Sequence, residues 1–166
     1  KIAYGLYRVE ATEDESWTAV GDLYLFADAL AEDCLGKSRV TKFSRVRTVS
    51  GDEMASAICI HPLAALDPFW SYEIPMIDGD HVTDDAGTGF VHIAPSHGAD
   101  DYECFVQRGW TDQMTHNIGE ASEFLPHVPF FAGLEVFDHK GKEGKANTAV
   151  IAKLVETGSL IARGRV

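Results

Sequence analysis

Residues 87–102 have the sequence GTGFVHIAPSHGADDY, and no other stretch of the chain gathers so much polar chemistry. The stretch contains a turn bracketed by glycines, a short apolar run, two histidines, a proline and two carboxylates. The apolar run over 90–93 predicts a short strand that Pro95 ends, and a helix is predicted to begin near Ala99. Functional groups commonly lie where a strand gives way to a loop and a helix. This junction is therefore the centre of the candidate site.

The flanking sequence predicts an α+β fold. Alternating or short apolar runs predict strands over 4–10, 39–49 (with a bulge), 57–60, 71–77 and 160–162. Helical spacing predicts helices over 23–35, 99–107 and 146–156. Many short strands with about three helices indicate a β-rich, barrel-like fold with peripheral helices.

The composition indicates one acidic domain. The chain has 166 residues and a formal net charge of −12. A domain that held a nucleic-acid backbone by itself should carry a basic face, so any nucleic-acid partner should be held mainly by something outside this chain. Basic residues do cluster over 37–47, which we interpret as a solvated surface rather than a binding patch. No window is apolar enough for a membrane span, and we expect no membrane partner.

Each residue of the central motif also has an ordinary structural explanation. Gly87 and Gly89 permit a tight turn, and Asp100 and Asp101 are favoured by the helix dipole. His92 on its own is more often a surface or core histidine than a catalytic one. Taken together, however, His92 at the end of the strand and Asp101 at the start of the helix can point into one pocket. A carboxylate there suits a ligand ammonium, and an imidazole can form a polar wall.

A metal site is the weaker alternative. His92, His97 and Asp101 could supply two imidazoles and a carboxylate to zinc in a hydrolase. The two histidines straddle a proline turn, however, whereas the histidines of a zinc protease motif share one helix face. The sequence contains no Cys-x-x-Cys pair, no nucleophile elbow and no phosphate-binding loop.

The motif resembles the editing insertion, connective polypeptide 1, of class I aminoacyl-tRNA synthetases of the isoleucyl type. The resemblance is carried by DHVT at 80–83 and by GTGFVHIAPSHGADDY at 87–102. Flanks near Asp22 and Lys145 extend it over nearly the whole chain. The valyl enzymes usually have Lys where His92 stands, and the leucyl enzymes usually have Met, so the pattern matches the isoleucyl type.

The resemblance implies hydrolysis of valine that has been wrongly attached to isoleucine tRNA. It assigns Asp101 to the substrate α-ammonium and His92 to the wall that excludes the extra methylene of isoleucine, and these two are the expected catalytic residues. The expected substrate-binding set adds Gly87, Thr88, Gly89, Ala94, Pro95, His97 and Asp100. The attacking water would be oriented by backbone, threonine hydroxyls and the terminal ribose rather than by a strong protein base.

The resemblance also carries expectations about partners and surroundings. The partner would be a misacylated tRNA 3′ end, held mainly by the rest of a cytoplasmic, monomeric synthetase. No cofactor or metal is expected in this chain, since ATP and magnesium would belong to the catalytic body. Residues 1–166 would form a single editing domain without the family's threonine-rich segment, which should precede Lys1, and the fragment alone is expected to be inactive. The alternative is a non-catalytic module that binds the aminoacyl group or the tRNA end.

Overall fold

The computed structural model describes residues 2–164, which divide into two compact units. One unit contains the chain up to Val91 together with the chain from Leu154 onward, and the other contains His92–Lys153. The expectation of a single domain over 1–166 is not tested by this division and stays a prediction. Lys1, Arg165 and Val166 lie outside the described residues.

The first unit is built on a three-stranded antiparallel sheet. Strands β1 (Tyr4–Thr12), β2 (Leu23–Ala27) and β3 (Val40–Val49) are arranged in the order β2-β1-β3. The strands predicted over 4–10 and 39–49 are confirmed. The pairing of β1 with β3 shifts register after Leu6 and around Ala11, which confirms the predicted irregularity.

The helix predicted over 23–35 is wrong in its first half. Residues Leu23–Ala27 form β2, and the helix, α1, spans only Ala31–Lys37. The run Leu-Tyr-Leu-Phe-Ala pairs with β1 along its whole length, so this pairing overrides an apolar spacing that also fitted a helix. Asp22, just before β2, stabilises a turn: its carboxylate accepts hydrogen bonds from the Ala19 N–H and the Tyr24 hydroxyl.

A charged junction ties the three strands together just after β2. The Asp28 carboxylate accepts a hydrogen bond from the Tyr7 hydroxyl of β1 at 2.7 Å. It also accepts two from the Arg45 guanidinium of β3, at 2.9 and 2.8 Å. The hydrogen bonds from Arg45 hold the pKa of Asp28 below its usual range. On one face the sheet packs on α1 through a buried apolar cluster: Tyr7, Val9, Phe26, Ala27, Leu30, Ala31, Cys34, Leu35 and Val40.

A second, smaller sheet follows in the same unit. Strands β4 (Ile58–Ile60) and β5 (Glu73–Pro75) pair antiparallel, with Pro75 opposite Ile58 at the end of the pairing. Both strands were predicted, although β5 is shorter than the range 71–77. The short helix α2 (Gly51–Ala55) was not predicted, even though Ser50 begins it with a complete capping box.

The second unit contains α3 (Ala99–Arg108) and most of α4 (Lys145–Glu156). Both helices were predicted nearly to the residue. Gly109 adopts a left-handed φ of 67° and ends α3, as glycine commonly does after a helix. Between the helices the chain forms loops joined by isolated bridges, around a small core of Val128, Phe131 and Ala146.

Three expectations of the sequence analysis are not met. Residues 90–93 and 160–162 are not strands, because their backbones join no ladder. The described part of the chain contains four α-helices rather than about three. Within residues 2–164 the strands form one sheet of three and one of two, and neither closes into a barrel. The coarser expectation, a mixed α+β fold, is confirmed. No helix in the described part of the chain is long and apolar enough to cross a membrane.

The basic cluster over 37–47 lies on the surface in ion pairs with carboxylates. Its five pairs are Lys37–Asp33, Arg39–Glu15, Lys42–Glu10, Arg45–Asp28 and Arg47–Glu53. Each positive charge is thus matched within 3.4 Å or less. This agrees with the interpretation as a solvated surface, since a phosphate backbone would have to displace these carboxylates.

Replacing Asp28 by Asn should lower the free energy of unfolding at pH 7 by about 1–2 kcal/mol, because the ion pair and part of its hydrogen bonding are lost. The folded-state pKa of Asp28 is lowered, so its contribution is complete above the usual aspartate pKa of about 3.9 and disappears as pH falls through the folded value. Urea unfolding at a series of pH values should show the two proteins converging in acid. Asp33→Asn, which breaks an exposed pair on α1, is the matched control and should change stability hardly at all. A difference between wild type and Asp28→Asn that stays constant into acid would contradict the assignment.

Candidate functional site

The glycine turn at 87–89 is bound to the first unit by three consecutive carbonyls. The Gly87 carbonyl accepts a hydrogen bond from the Cys34 thiol of α1, with an S–O distance of 3.2 Å. The Thr88 carbonyl accepts from the Ala27 N–H at the end of β2, at 3.0 Å. The Gly89 carbonyl accepts from the Tyr4 hydroxyl of β1, at 2.7 Å. Three different elements therefore fix three successive peptide groups.

Glycine is required in this turn for two separate reasons. Gly87 and Gly89 have φ of +73° and +83°, a region that other residues rarely adopt. A Cβ on Gly89 would also collide with the Cβ of Ala27, whereas the position of a Cβ on Gly87 is open. The Phe90 ring then packs 5.0 Å from the Tyr4 ring, centroid to centroid. Both glycines thus permit the turn, and Gly89 also permits its close approach to the sheet.

The second unit carries the other half of the motif as a tight turn before α3. The His97 N–H donates to the Ala94 carbonyl at 2.9 Å, and Pro95 occupies the second position of this turn, where its fixed φ is favoured. The Gly98 N–H donates to the same carbonyl at 3.1 Å. The Ser96 hydroxyl donates to the Thr115 carbonyl at 2.7 Å and holds the tip of the turn.

Asp101 closes this turn from the first turn of α3. Its Oδ2 accepts a hydrogen bond from the Ala94 N–H at 2.9 Å. A Cβ on Gly98 would lie 2.9 Å from the same oxygen, so glycine at the helix N-cap makes room for the carboxylate. Among residues 2–164 no donor is found for Oδ1 of Asp101, which leaves one oxygen for a ligand. The helix N-terminus also favours a negative charge here.

The remaining predicted residues of this half are placed at the surface. His92, His97 and Asp100 are exposed, and Ala94 and Pro95 are partly buried. Within the part of the chain that the structure describes, no three His, Cys, Asp or Glu side chains gather as a metal site would require. The ligand set His92, His97 and Asp101 of the zinc alternative is therefore not assembled.

A small, half-open pocket lies elsewhere, in the first unit. It has a volume of about 130 Å³ and lies among Trp17, Lys37, Arg39 and Ile161. None of the predicted site residues lines it. Lys37 and Arg39 are already paired with Asp33 and Glu15, so the cavity offers little uncompensated charge to a ligand.

The side chains that hold the glycine turn remain protonated donors at neutral pH. Burial raises the pKa of the Tyr4 hydroxyl, and the nearby Asp84 carboxylate raises it further. Burial likewise raises the pKa of the Cys34 thiol, and Asp33 adds to the effect. A raised pKa keeps a thiol out of the reactive thiolate form, so Cys34 serves here as a hydrogen-bond donor rather than a nucleophile.

Sequence reasoning missed Tyr4, Ala27 and Cys34, which lie far from the motif along the chain. The sequence pattern around these residues gave little indication of a functional role, since Tyr4 fitted an ordinary strand and Cys34 an ordinary helix face. Two separate assemblies carry the predicted residues: a glycine turn with fixed carbonyls in the first unit, and a carboxylate-closed turn in the second. The first can present backbone N–H groups, and the second can present a carboxylate oxygen to a cation.

No family model matches the chain. It is similar to isoleucine–tRNA ligases of several bacteria over 99% of its length. The identity is 41% with the ligase of Bradyrhizobium diazoefficiens, 40% with that of Rhodopseudomonas palustris and 44% with that of Caulobacter vibrioides. The chain spans about 17% of the length of each of these relatives. It is thus homologous to one segment of isoleucine–tRNA ligase, which agrees with the isoleucyl resemblance of the sequence analysis.

Replacing Asp101 by Ala should open the turn before α3, because the Ala94 N–H loses its acceptor. The expected cost is about 1 kcal/mol of local stability, the usual value for one such hydrogen bond. Hydrogen exchange at the Ala94 amide should therefore accelerate about fivefold in Asp101→Ala, with ~1.4 kcal/mol corresponding to tenfold. Asp101→Asn keeps an acceptor oxygen and should retain most of the protection. Equal exchange in wild type and Asp101→Ala would show that the bond does not hold the turn.

Proposed function

We propose that this chain is the editing part of an isoleucine–tRNA ligase, where it hydrolyses the ester of valine on isoleucine tRNA. The observation that carries the proposal is the Asp101 carboxylate, which is held by the Ala94 N–H through one oxygen and keeps the other without a donor among the described residues. Homology along 99% of the chain to such ligases supports the choice of reaction. The motif resemblance supports assigning that reaction to this segment.

Asp101 would bind the α-ammonium of the aminoacyl group. A hydrogen bond between an ammonium and a carboxylate is charge-assisted and is about twice as strong as a neutral one. Because every amino acid carries the same α-ammonium, this contact anchors the substrate but does not select it. The bond to Ala94 supports the role, since it fixes the carboxylate before the ligand arrives and reduces the ordering cost of binding.

His92 would provide the selection. A hydrophobic pocket distinguishes side chains that differ by one methylene by only about 10- to 200-fold, and the isoleucyl enzyme is itself the standard case of this limit. A second site that admits valine and excludes isoleucine removes the error. The exposed imidazole of His92 is free to meet a substrate, which supports its proposed place at the wall of that site.

The glycine turn would supply backbone contacts, with Gly87, Thr88 and Gly89 shaping the substrate site. Ala94, Pro95, His97 and Asp100 complete the proposed binding set. No nucleophile paired with a base is apparent among these residues, so water is the proposed nucleophile. Attack of water on the ester carbonyl carbon breaks the bond to the ribose oxygen and yields valine and a free tRNA end.

The surroundings of the reaction are proposed on the same basis. The partner is a misacylated tRNA 3′ end, held chiefly by the rest of the ligase, which would also contain the sites for ATP and magnesium. The basic residues over 37–47 are already paired with carboxylates, which supports a tRNA-binding surface elsewhere in the ligase. A monomeric ligase in the cytoplasm, and inactivity of this chain in isolation, stay predictions.

The test uses the full-length ligase that contains this chain and measures deacylation of Val-tRNA and Ile-tRNA. Asp101→Asn should lower the rate on Val-tRNA at least tenfold, because it removes the charge while it keeps an acceptor for Ala94. His92→Ala should extend hydrolysis to Ile-tRNA, because the wall against the extra methylene is gone. Glu103→Gln on α3, an exposed carboxylate outside the proposed set, is the matched control and should behave as wild type.

If the wild-type ligase hydrolyses Val-tRNA and Asp101→Asn hydrolyses it at the same rate, Asp101 does not bind the α-ammonium. If His92→Ala still does not hydrolyse Ile-tRNA, His92 does not exclude isoleucine from the site. A wild-type ligase that binds an analogue of valyl-adenosine but does not turn over Val-tRNA would instead favour a binding module without catalysis.

A further inference from the structure

The peptide groups of the glycine turn point in a definite direction. Their carbonyls at 87, 88 and 89 all bond to the core of the first unit, through Cys34, Ala27 and Tyr4. The described residues contain no cis peptide bond. In a trans peptide the N–H of the next residue points opposite to the carbonyl. The N–H groups of Thr88 and Gly89 therefore point away from α1 and β2.

The backbone conformation agrees with this direction. Gly87 and Gly89 have positive φ, and Thr88 between them does not. Concave arrangements of successive backbone N–H groups bind anions. The next N–H, that of Phe90, donates to the Thr88 hydroxyl at 3.3 Å and is therefore not available to a ligand.

Neither N–H of the pair has an acceptor among residues 2–164, although Gly89 is buried and Thr88 is partly buried. Buried backbone N–H groups almost always have a partner, because an unpaired one costs free energy comparable to a lost hydrogen bond. Two adjacent donors without an acceptor are what a ligand oxygen would require. Each carbonyl of the same turn already accepts a hydrogen bond from the core of the first unit, so the groups that the turn offers to a ligand are donors.

We infer that the N–H groups of Thr88 and Gly89 bind the carbonyl oxygen of the aminoacyl ester and stabilise the negative charge that it gains during hydrolysis. This inference rests on the proposed editing function. Water adds to the ester carbonyl carbon, and the carbonyl electron pair moves onto this oxygen. Return of that pair expels the ribose oxygen, which takes up a proton that the water gives up. Two donors fixed before the reaction stabilise the charged oxygen without reorganising.

The inference makes Cys34 and Tyr4 positioning residues. The Cys34 thiol fixes the peptide that contains the Thr88 N–H, and the Ala27 N–H fixes the peptide that contains the Gly89 N–H. The Tyr4 hydroxyl holds the next peptide and keeps Gly89 against Ala27. None of the three contacts the substrate in this account.

The decisive variant is Gly87→Val in the full-length ligase. A Cβ at Gly87 meets no atom within 4 Å, so the main effect of the change is on the backbone, where a β-branched residue resists a φ of +73°. Gly133→Val is the matched control, because Gly133 has a φ of +76° and an equally open Cβ position outside the proposed site. Gly87→Asn should restore activity in part, since Asn tolerates this region better than Val.

Three measurements separate the proposed role from general damage. The first is single-turnover deacylation of Val-tRNA, which should fall about 100- to 1,000-fold in Gly87→Val with little change in KM, the range expected for a lost oxyanion donor. The second is affinity for the phosphonate analogue of valyl-adenosine, whose charged tetrahedral group imitates the intermediate, and it should fall in parallel. The third is affinity for the amide analogue of valyl-adenosine, which is planar and uncharged at this position and should change less than threefold.

Cys34→Ala and Cys34→Ser provide an independent pair of variants. Alanine removes the donor to the Gly87 carbonyl, and serine replaces it with another, so the rate should fall severalfold in the first and recover in the second. A purely structural role of Cys34 would make serine, the polar residue, the worse of the two in this buried position.

The inference is overturned if Gly87→Val hydrolyses Val-tRNA as fast as Gly133→Val does, or if the two analogues lose affinity equally. Failure of the proposed function looks different, because the wild-type ligase would then leave Val-tRNA intact. Recovery by Gly87→Asn together with selective loss of the phosphonate analogue supports the inference.

Discussion

The three hydrogen bonds that fix the carbonyls of Gly87, Thr88 and Gly89 are the constraint on which the candidate site of the first unit depends. They come from a thiol, a backbone N–H and a phenol, which belong to a helix and two strands. Ordering a turn with two glycines is costly, since glycine loses more conformational freedom on folding than any other residue. The packed sheet compensates for that cost, so the geometry of the motif is set by residues up to 85 positions away.

The same sheet explains how a short motif can be rigid without a strand of its own. The Asp28 carboxylate joins β1 and β3 to the end of β2, directly beside the Ala27 N–H that holds Thr88. Ala27 has no exposed surface, so its contact with Gly89 leaves no room for adjustment. The charged junction and the contact between Ala27 and the glycine turn thus lie side by side at the end of β2. Loss of the junction should therefore also disturb the position of the turn.

The helices α3 and α4 and the strands β1 and β3 could be predicted from sequence, because their periodicity and end signals are local. Gly109 after α3 and the alternation along β3 needed no tertiary information. The first half of the helix predicted over 23–35 failed because the spacing of Leu23, Phe26 and Ala27 fits both periods, and only the partner strand decides between them. The strand predicted over 90–93 failed for the opposite reason, since an apolar run without a partner remains a loop.

The candidate site could be predicted only in part for the same physical reason. Asp101 at the start of α3 follows from local signals, and the structure adds its bond to Ala94 and the space that Gly98 leaves for it. The roles of Tyr4 and Cys34 could not be predicted, because a side chain that bonds a distant carbonyl leaves no pattern in the sequence. Unpaired N–H groups leave none either, since every residue except proline carries one.

The measurement that tests the central claim most directly is an experimental structure of the full-length ligase bound to the amide analogue of valyl-adenosine. The account predicts that the α-ammonium lies within hydrogen-bonding distance of Oδ1 of Asp101, while Oδ2 keeps its bond to the Ala94 N–H. An analogue bound with its ammonium away from Asp101, or an Asp101 that releases Ala94 to reach it, would contradict the account.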